Sequence, residues 1–172
     1  MEDTPSKTEL GNSFTERYAE GIMVGSWWYD SRNLDVLFPF GYGLSYAQFE
    51  YSDLRLEKQS ETDYLLRYKI KNVSNVDGKE VSQVYVQDVF SMVERPKKEL
   101  VAFSKDLIRA GEEKEITVQL SADSFAYYSV SFDKWYVENG KFKVFVGASS
   151  RDIRLEASLV IQLDEATQQS TR

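Results

Sequence analysis

The stretch Tyr64-Leu-Leu-Arg-Tyr-Lys-Ile70 decides the fold, because large apolar residues occupy every second position in it. Arg67 and Lys69 stand between these apolar positions. Successive side chains of a β-strand point to opposite faces of the sheet, so this segment has one buried face and one solvated face. The pattern predicts a strand that covers a hydrophobic core.

The same alternation recurs along the chain from Phe49 onward. It marks four further segments: residues 81–88, 115–120, 141–146 and 153–161. Turn signals such as Asp77-Gly78 and Asn139-Gly140 separate these segments, since glycine supplies the positive φ angle that tight turns need. With neither helical periodicity nor βαβ spacing, the pattern predicts an all-β fold, an antiparallel β-sandwich of about seven strands.

The charge of the chain argues against nucleic acid as a partner. The chain has 172 residues and a formal net charge of −7, and its densest basic spot, Lys97-Lys98, is flanked by Glu94 and Glu99. Phosphate binding needs a basic stripe instead. We expect one soluble domain with a good core and no segment that spans a membrane. The chain begins without a secretory signal pattern, so its location is undecided.

Cysteine and histidine are both absent from the sequence. Their absence excludes disulfides, metal sites built on Cys or His, and nucleophilic catalysis of the Ser-His-Asp or Cys-His kind. The 28 acidic residues are interpreted as solvated surface charge, because most of them stand beside basic residues or on the polar side of strands. We therefore expect no cofactor and no metal ion.

An aromatic arm at residues 17–46 precedes the strands and is interrupted by glycines. So many large apolar side chains need a surface to bury against, and the rest of the chain offers too little. We infer that further protein precedes the arm and covers it. The polar residues 1–16 are predicted to be disordered or loosely attached, and residues 164–172 to be a frayed tail.

Two motifs in the chain are distinctive, Leu37-Phe-Pro-Phe-Gly-Tyr-Gly-Leu-Ser-Tyr46 and Arg95-Pro-Lys-Lys-Glu-Leu100. Shorter ones are Glu20-Gly-Ile-Met-Val-Gly25 and Val146-Gly-Ala-Ser-Ser150. Together these motifs resemble the C-terminal part of glycoside hydrolase family 3 enzymes, of which β-glucosidases are the best-known members. The resemblance covers roughly residues 17–157.

The resemblance implies a domain order. In that family a barrel domain carries the nucleophilic aspartate, an α/β sandwich domain usually carries the acid/base carboxylate, and a fibronectin type III-like sandwich comes last. Residues 17–46 then correspond to the end of the α/β domain and the crossing from it. Residues 47–163 correspond to the fibronectin type III-like domain, and no catalytic residue is expected in this chain.

The function implied by the resemblance is that of a non-catalytic module in a β-glucosidase-like parent that hydrolyses O-glycosidic bonds. The module would stabilise the catalytic domains and shape the active-site rim or an oligomer contact. Residues 90–100 form a long loop, and loops of this length in compact domains often serve a purpose. The expected docking residues lie on the arm and on this loop: Glu20, Tyr29, Asp30, Phe38, Phe40, Arg95, Lys98 and Glu99.

Trp27, Trp28 and Trp135 are candidates for stacking on a sugar ring. In an extended segment Trp27 and Trp28 would point to opposite sides, so they would not form one platform. Packing into a neighbouring domain or into the sandwich is the alternative role for all three.

Two further hypotheses stay open beside the structural module. The chain is a carbohydrate-binding module, or it is the small subunit of a split glycosidase whose barrel is encoded separately. The expected partners are the barrel and α/β sandwich domains of the parent, and the sugar-binding hypothesis adds a glucan or oligosaccharide. The aromatic arm also predicts self-association of the isolated chain.

Overall fold

The computed structural model describes residues 20–168. The predicted disorder of residues 1–16 lies outside this range, as do the first residues of the arm, 17–19. Within the range, no helix is both long enough and apolar enough to cross a membrane.

Two antiparallel sheets and one hairpin make up the β structure of residues 20–168. The strands are β1 (Phe49–Lys58), β2 (Tyr64–Asn72), β3 (Gly78–Asp88), β4 (Glu99–Ile108), β5 (Glu113–Leu120), β6 (Tyr127–Ser129), β7 (Lys134–Tyr136), β8 (Gly140–Gly147) and β9 (Ile153–Ile161). One sheet has the order β1-β2-β5 and the other β4-β3-β8-β9, while β6 pairs with β7. Seven strands in two antiparallel sheets confirm the predicted β-sandwich.

The core lies between the two sheets, and the alternation in β2 fills it as predicted. Leu66, Tyr68 and Ile70 are at most 1% exposed. Arg67 and Lys69 lie on the outer face of the same strand, where each pairs with acidic residues of β1 and β5. The period of two along this strand therefore separates buried from solvated side chains.

The connection from β5 to β6 closes one end of the core with aromatic rings. Phe125 is fully buried. Its ring packs edge to face against Phe142 at 5.3 Å and against Tyr64 at 5.8 Å between centroids. This geometry is favourable for aromatic pairs. It also fixes the position of the Phe125 backbone carbonyl, which accepts a hydrogen bond from Arg95 in the long loop before β4.

The arm is not extended at its tryptophans, so that expectation is wrong. Helix α1 spans Ser26–Arg32, after Gly25 with φ of 61°. It ends at Asn33, which adopts the left-handed conformation, and the Leu34 N–H donates to the Tyr29 carbonyl. Asparagine and glycine tolerate positive φ well, which allows such tight ends. A helix of 7 residues is too short to show a helical period in the sequence.

The tail predicted to fray from Asp164 is ordered as far as the structure describes it. Glu165–Gln168 form a one-turn helix, α2. The Thr167 N–H donates to the Asp164 carboxylate at 2.7 Å, which satisfies a helix-start donor. The Gln168 carbonyl accepts from the Val137 N–H at 3.4 Å, so α2 is tied to the sandwich. Residues 169–172 lie outside the described range.

Candidate interdomain docking surface

The arm is tied to the four-stranded sheet by polar contacts. Arg151, in the turn between β8 and β9, places its Nε 2.7 Å from Asp30 Oδ1 and its Nη2 2.7 Å from the Leu34 carbonyl. The Ser150 N–H donates to the Phe40 carbonyl at 2.9 Å. The arm is therefore hydrogen-bonded to the sandwich of its own chain.

Gly41 makes one of these contacts possible. Its carbonyl accepts from Gln83 Nε2, a β3 side chain, at 3.2 Å. Gly41 has a φ of 78°, and a Cβ at this position would lie 2.1 Å from Gln83 Oε1. The positive φ favours glycine here, and a larger residue would also displace the Gln83 amide from this contact.

Fixed in this way, the arm presents apolar side chains to solvent. Its exposed residues, which we call the arm strip, are Leu37, Phe38, Phe40, Tyr42, Leu44 and Tyr46. Leu37 is 94% exposed and Tyr46 is fully exposed. A contiguous apolar patch of this kind is typical of an interaction site. Two of the predicted docking residues, Phe38 and Phe40, belong to it.

The loop of residues 89–98, between β3 and β4, is anchored from inside by Arg95. The Arg95 side chain is only 6% exposed. Its Nε donates to Glu99 at 2.8 Å and its Nη1 to the Phe125 carbonyl at 3.0 Å. The guanidinium also lies 5.7 Å from the ring of Tyr127. Arg95 and Glu99 thus bind residues of their own domain, and a docking role for them stays a prediction.

A second buried charge anchors the same loop at its other end. Glu138 is 5% exposed, and its two carboxylate oxygens accept from the Met92 N–H at 3.1 and 3.2 Å. Burial, followed by the hydrogen bond to Glu138, raises the pKa of Tyr127 to about 12. With both ends held, the loop presents the side chains of Phe90 and Met92, which are more than 80% exposed.

A groove of about 460 Å³ lies between the arm and the β6–β7 hairpin. Trp27 and Trp135 both line it, together with Tyr128. Trp28 does not, and the guanidinium of Arg32 lies 3.5 Å from the centre of its ring. Of the three predicted sugar-contacting tryptophans, the structure brings two together and leaves the third stacked under an arginine.

The other predicted docking residues are half-buried and close to the arm helix. Glu20 accepts from the Met23 N–H through its carbonyl at 2.9 Å, in the turn that precedes α1. Tyr29 and Asp30 lie on α1 and line a groove of about 340 Å³ with Phe38. Lys98 lies on the opposite side of Asp30, in a cavity of about 240 Å³.

Sequence reasoning missed three residues that position this surface, Gln83, Ser150 and Arg151. Arg151 contacts Asp30 across 121 positions of sequence and Gln83 contacts Gly41 across 42. No local pattern reports contacts of that separation. The part of the chain from residue 20 to 168 also contains no cluster of acidic side chains that could hold a metal ion.

Two sequence comparisons show which known proteins this chain is similar to. Residues 80–150 match the family model of the fibronectin type III-like domain. Thermostable β-glucosidase B of Acetivibrio thermocellus is 46% identical over 145 residues, which are 83% of this chain and 19% of that protein. Exo-α-(1→6)-L-arabinopyranosidase of Bifidobacterium breve is 38% identical over 172 residues, 99% of this chain and 23% of that protein.

A comparison with solved structures finds the same kind of protein. The crystal structure of the family 3 β-glucosidase of Bifidobacterium adolescentis has a TM-score of 0.88 at 39% identity, over 95% of this chain and 26% of that one. The chain thus spans about a fifth to a quarter of the length of the relatives it matches. It is a fibronectin type III-like domain that matches the C-terminal portion of glycoside hydrolase family 3 β-glucosidases.

Proposed function

We propose that this chain is the non-catalytic C-terminal module of a family 3 glycosidase, and that its arm strip docks on the catalytic domains. We call the longer polypeptide the parent, and its barrel and α/β sandwich domains the catalytic body. The parent hydrolyses O-glycosidic bonds. The module stabilises the catalytic body by covering apolar surface, and it shapes the active-site rim or an oligomer contact.

The observation that carries this proposal is the exposure of a rigidly held apolar strip. Leu44 and Tyr46 are 87% and 100% exposed although the arm around them is hydrogen-bonded to β3 and to the β8–β9 turn. Burying such side chains contributes about 1.5–3 kcal/mol each, which favours a permanent partner surface. The relatives are about four times as long as this chain, so a catalytic body is available in them to supply that surface.

The test replaces Leu44 and Tyr46 by serine in the parent. Because the lost contacts lie at the interface, we expect the inactivation temperature of the glycosidase to fall while the isolated module keeps its own unfolding midpoint. Leu107→Ser is the matched control, since Leu107 is an exposed leucine on β4 outside the arm. A parent that tolerates the double substitution as well as the control would contradict the proposal.

A second candidate function is carbohydrate binding in the groove between the arm and the hairpin. The pairing of Trp27 and Trp135 in that groove favours it, because aromatic faces suit the C–H faces of pyranose rings. Titration of oligosaccharides against tryptophan fluorescence tests it. Binding that Trp27→Ala abolishes and Trp28→Ala preserves would support this candidate, and no fluorescence change with any glucan would count against it.

A further inference from the structure

The cavity of about 240 Å³ between α1 and the four-stranded sheet is lined by both polar and apolar side chains. Lys98, Ser150 and Asp30 contribute polar groups, and Trp27 and Phe40 contribute aromatic walls. We call this cavity the Lys98 socket. It is large enough for one side chain, and Phe40 connects it to the arm strip.

One polar group of the socket lacks the partner that burial demands, and a second lacks an ion pair. Ser150 is 4% exposed, and its Oγ is buried without a hydrogen-bond partner in the described structure. A buried hydroxyl without a partner is costly. Lys98 is half-buried and its Nζ donates to the Ser150 carbonyl, but no carboxylate within residues 20–168 forms an ion pair with it. Nearby Asp30 pairs with Arg151 instead.

The surroundings of the socket carry positive charge. Lys97 and Arg151 both lie close enough to Lys98 to disfavour its charged form, while Asp30 favours it. Burial is the larger cause, and it lowers the pKa of Lys98. Three cations therefore stand around one carboxylate, in a chain whose formal net charge is −7. Such a site is complementary to an anion.

We propose that the Lys98 socket receives a carboxylate side chain of the catalytic body when the module docks. This inference rests on the proposed function and names the chemistry of the partner surface. One carboxylate oxygen accepts from Lys98 Nζ, and rotation of the Ser150 side chain toward the socket lets its Oγ donate to the other, so both groups gain a partner at once. Trp27 and Phe40 exclude water around the pair, which strengthens the charge-assisted hydrogen bonds.

The position of the socket favours a side chain of the catalytic body over a free anion. Val24 and Phe40 line the socket and belong to the arm, which the resemblance assigns to the end of the preceding domain and the crossing from it. In the longer relatives the additional residues belong to the portion before such a module. A surface that covers the arm is therefore also in reach of the socket.

The first test compares Lys98→Met with Lys105→Met in the parent, because Lys105 is an exposed lysine on β4 that does not line the socket. Hydrogen exchange of the peptide 37–46 measures how often the arm strip separates from the catalytic body. We expect Lys98→Met to raise this exchange rate at least tenfold in the parent and Lys105→Met to change it less than twofold. Equal effects of the two substitutions would overturn the inference.

Ser150→Ala gives a readout that a merely structural role does not produce. In the isolated chain it removes a buried hydroxyl without a partner, so the unfolding midpoint is expected to stay or rise. In the parent it removes a donor to the carboxylate, so exchange of residues 37–46 is expected to accelerate about threefold. A loss of stability in both, to the same degree, would assign Ser150 a role inside the module only and overturn the inference.

Carbodiimide coupling of the parent, followed by peptide mapping, identifies the carboxylate directly. The expected product joins Lys98 to an Asp or Glu of the catalytic body. Coupling of Lys98 only to carboxyls of this chain, such as Asp30, would overturn the inference. Failure of the socket is distinguishable from failure of the proposed function, because Leu44 and Tyr46 would still be needed for docking if only the socket were wrong.

Discussion

Arg151 Nε lies 2.7 Å from Asp30 Oδ1 and joins the arm helix to the β8–β9 turn across 121 positions of sequence. The same guanidinium holds the Leu34 carbonyl just beyond α1. The resemblance assigns residues 17–46 to the end of a preceding α/β domain. These contacts show that the described part of the arm also packs on the sandwich, so the arm has a defined conformation within this chain.

We expect Arg151→Ala to release the arm while the sandwich stays folded. The ion pair is partly exposed, with side-chain exposures of 31% and 17%, and such a pair plus one hydrogen bond contributes about 1–2 kcal/mol. Amide exchange in residues 26–34 should therefore accelerate about tenfold. Arg67→Ala is the matched control, because Arg67 pairs with acidic residues on the outer face of β2. Unchanged exchange in the arm would show that Arg151 does not hold it.

Local periodicity predicts the sandwich but not the surface built on it. In β2 the alternation is complete within 7 residues from Tyr64 to Ile70, and burial follows it. Helix α1 spans fewer than two turns, so its tryptophans show no helical period. Lys98 is found through the Arg95–Leu100 motif, whereas a role for Ser150 is recognised only from a cavity that four separate segments form. Contacts between distant segments leave no trace in a single sequence.

Asn72 is expected to be a structural residue, although Asn72-Val-Ser74 has the form of an N-glycosylation sequon. Asn72 is fully buried. Its Nδ2 donates to the Val76 carbonyl at 2.8 Å and to the Ile108 carbonyl at 3.0 Å, and its Oδ1 accepts from the Ser74 hydroxyl at 2.6 Å. A glycan on Nδ2 would displace these bonds, so we expect the folded protein from a secretory host to show no added mass at this residue.

The same contacts predict the cost of removing the amide. Asn72→Ala leaves two carbonyls without their donor and should lower the free energy of unfolding by about 2–3 kcal/mol. Asn72→Asp should be at least as harmful, because a carboxylate cannot donate to a carbonyl. Urea denaturation measures both, and Asn75→Ala provides an exposed control. A midpoint unchanged in Asn72→Ala would contradict this role.

Alkaline pH is expected to unfold the protein in a range set by buried tyrosines. Burial raises the pKa of Tyr68 to about 12 from an ordinary value of 10.0, although the hydrogen bond to Ser82 acts in the opposite direction. A raised pKa means that the stabilisation is complete below pH 10 and is lost as the pH rises toward 12, by up to about 3 kcal/mol for two units. Unfolding midpoints in urea between pH 9 and 12 should follow this loss.

Tyr68→Phe isolates the contribution of this hydroxyl to the pH dependence. The variant cannot ionise at position 68, so its stability should decline less steeply between pH 10 and 12 than that of the unmodified chain. At pH 7 it should lose only about 1 kcal/mol, for the hydrogen bond between the Tyr68 and Ser82 hydroxyls. Tyr46→Phe is the control, because Tyr46 is fully exposed. Parallel curves for Tyr68→Phe and Tyr46→Phe would contradict the assignment.

The isolated chain is expected to self-associate through the arm strip. Leu37 and Leu44 are 94% and 87% exposed, and large exposed apolar patches promote association. Sedimentation velocity at increasing concentration should show oligomers that the double variant Leu37→Ser, Leu44→Ser returns to monomers. Val160→Ser removes an exposed valine from β9 and should leave the oligomers intact. Monomers in the unmodified chain at every concentration would contradict this expectation.

Arg95→Ala separates internal anchoring from docking. The Asp88 carboxylate is 3% exposed and lies 3.9 Å from the Arg95 guanidinium, so removing the arginine leaves a buried charge without its partner. We expect the isolated chain to lose about 3 kcal/mol of unfolding free energy, and Arg95→Lys to recover little of it, since lysine cannot reproduce the contacts of Arg95 to Glu99 and to the Phe125 carbonyl. Arg109→Ala, at an exposed arginine, is the control. If the isolated chain kept its urea midpoint while the parent lost stability, Arg95 would act in docking, because only contacts that form between domains would then depend on it.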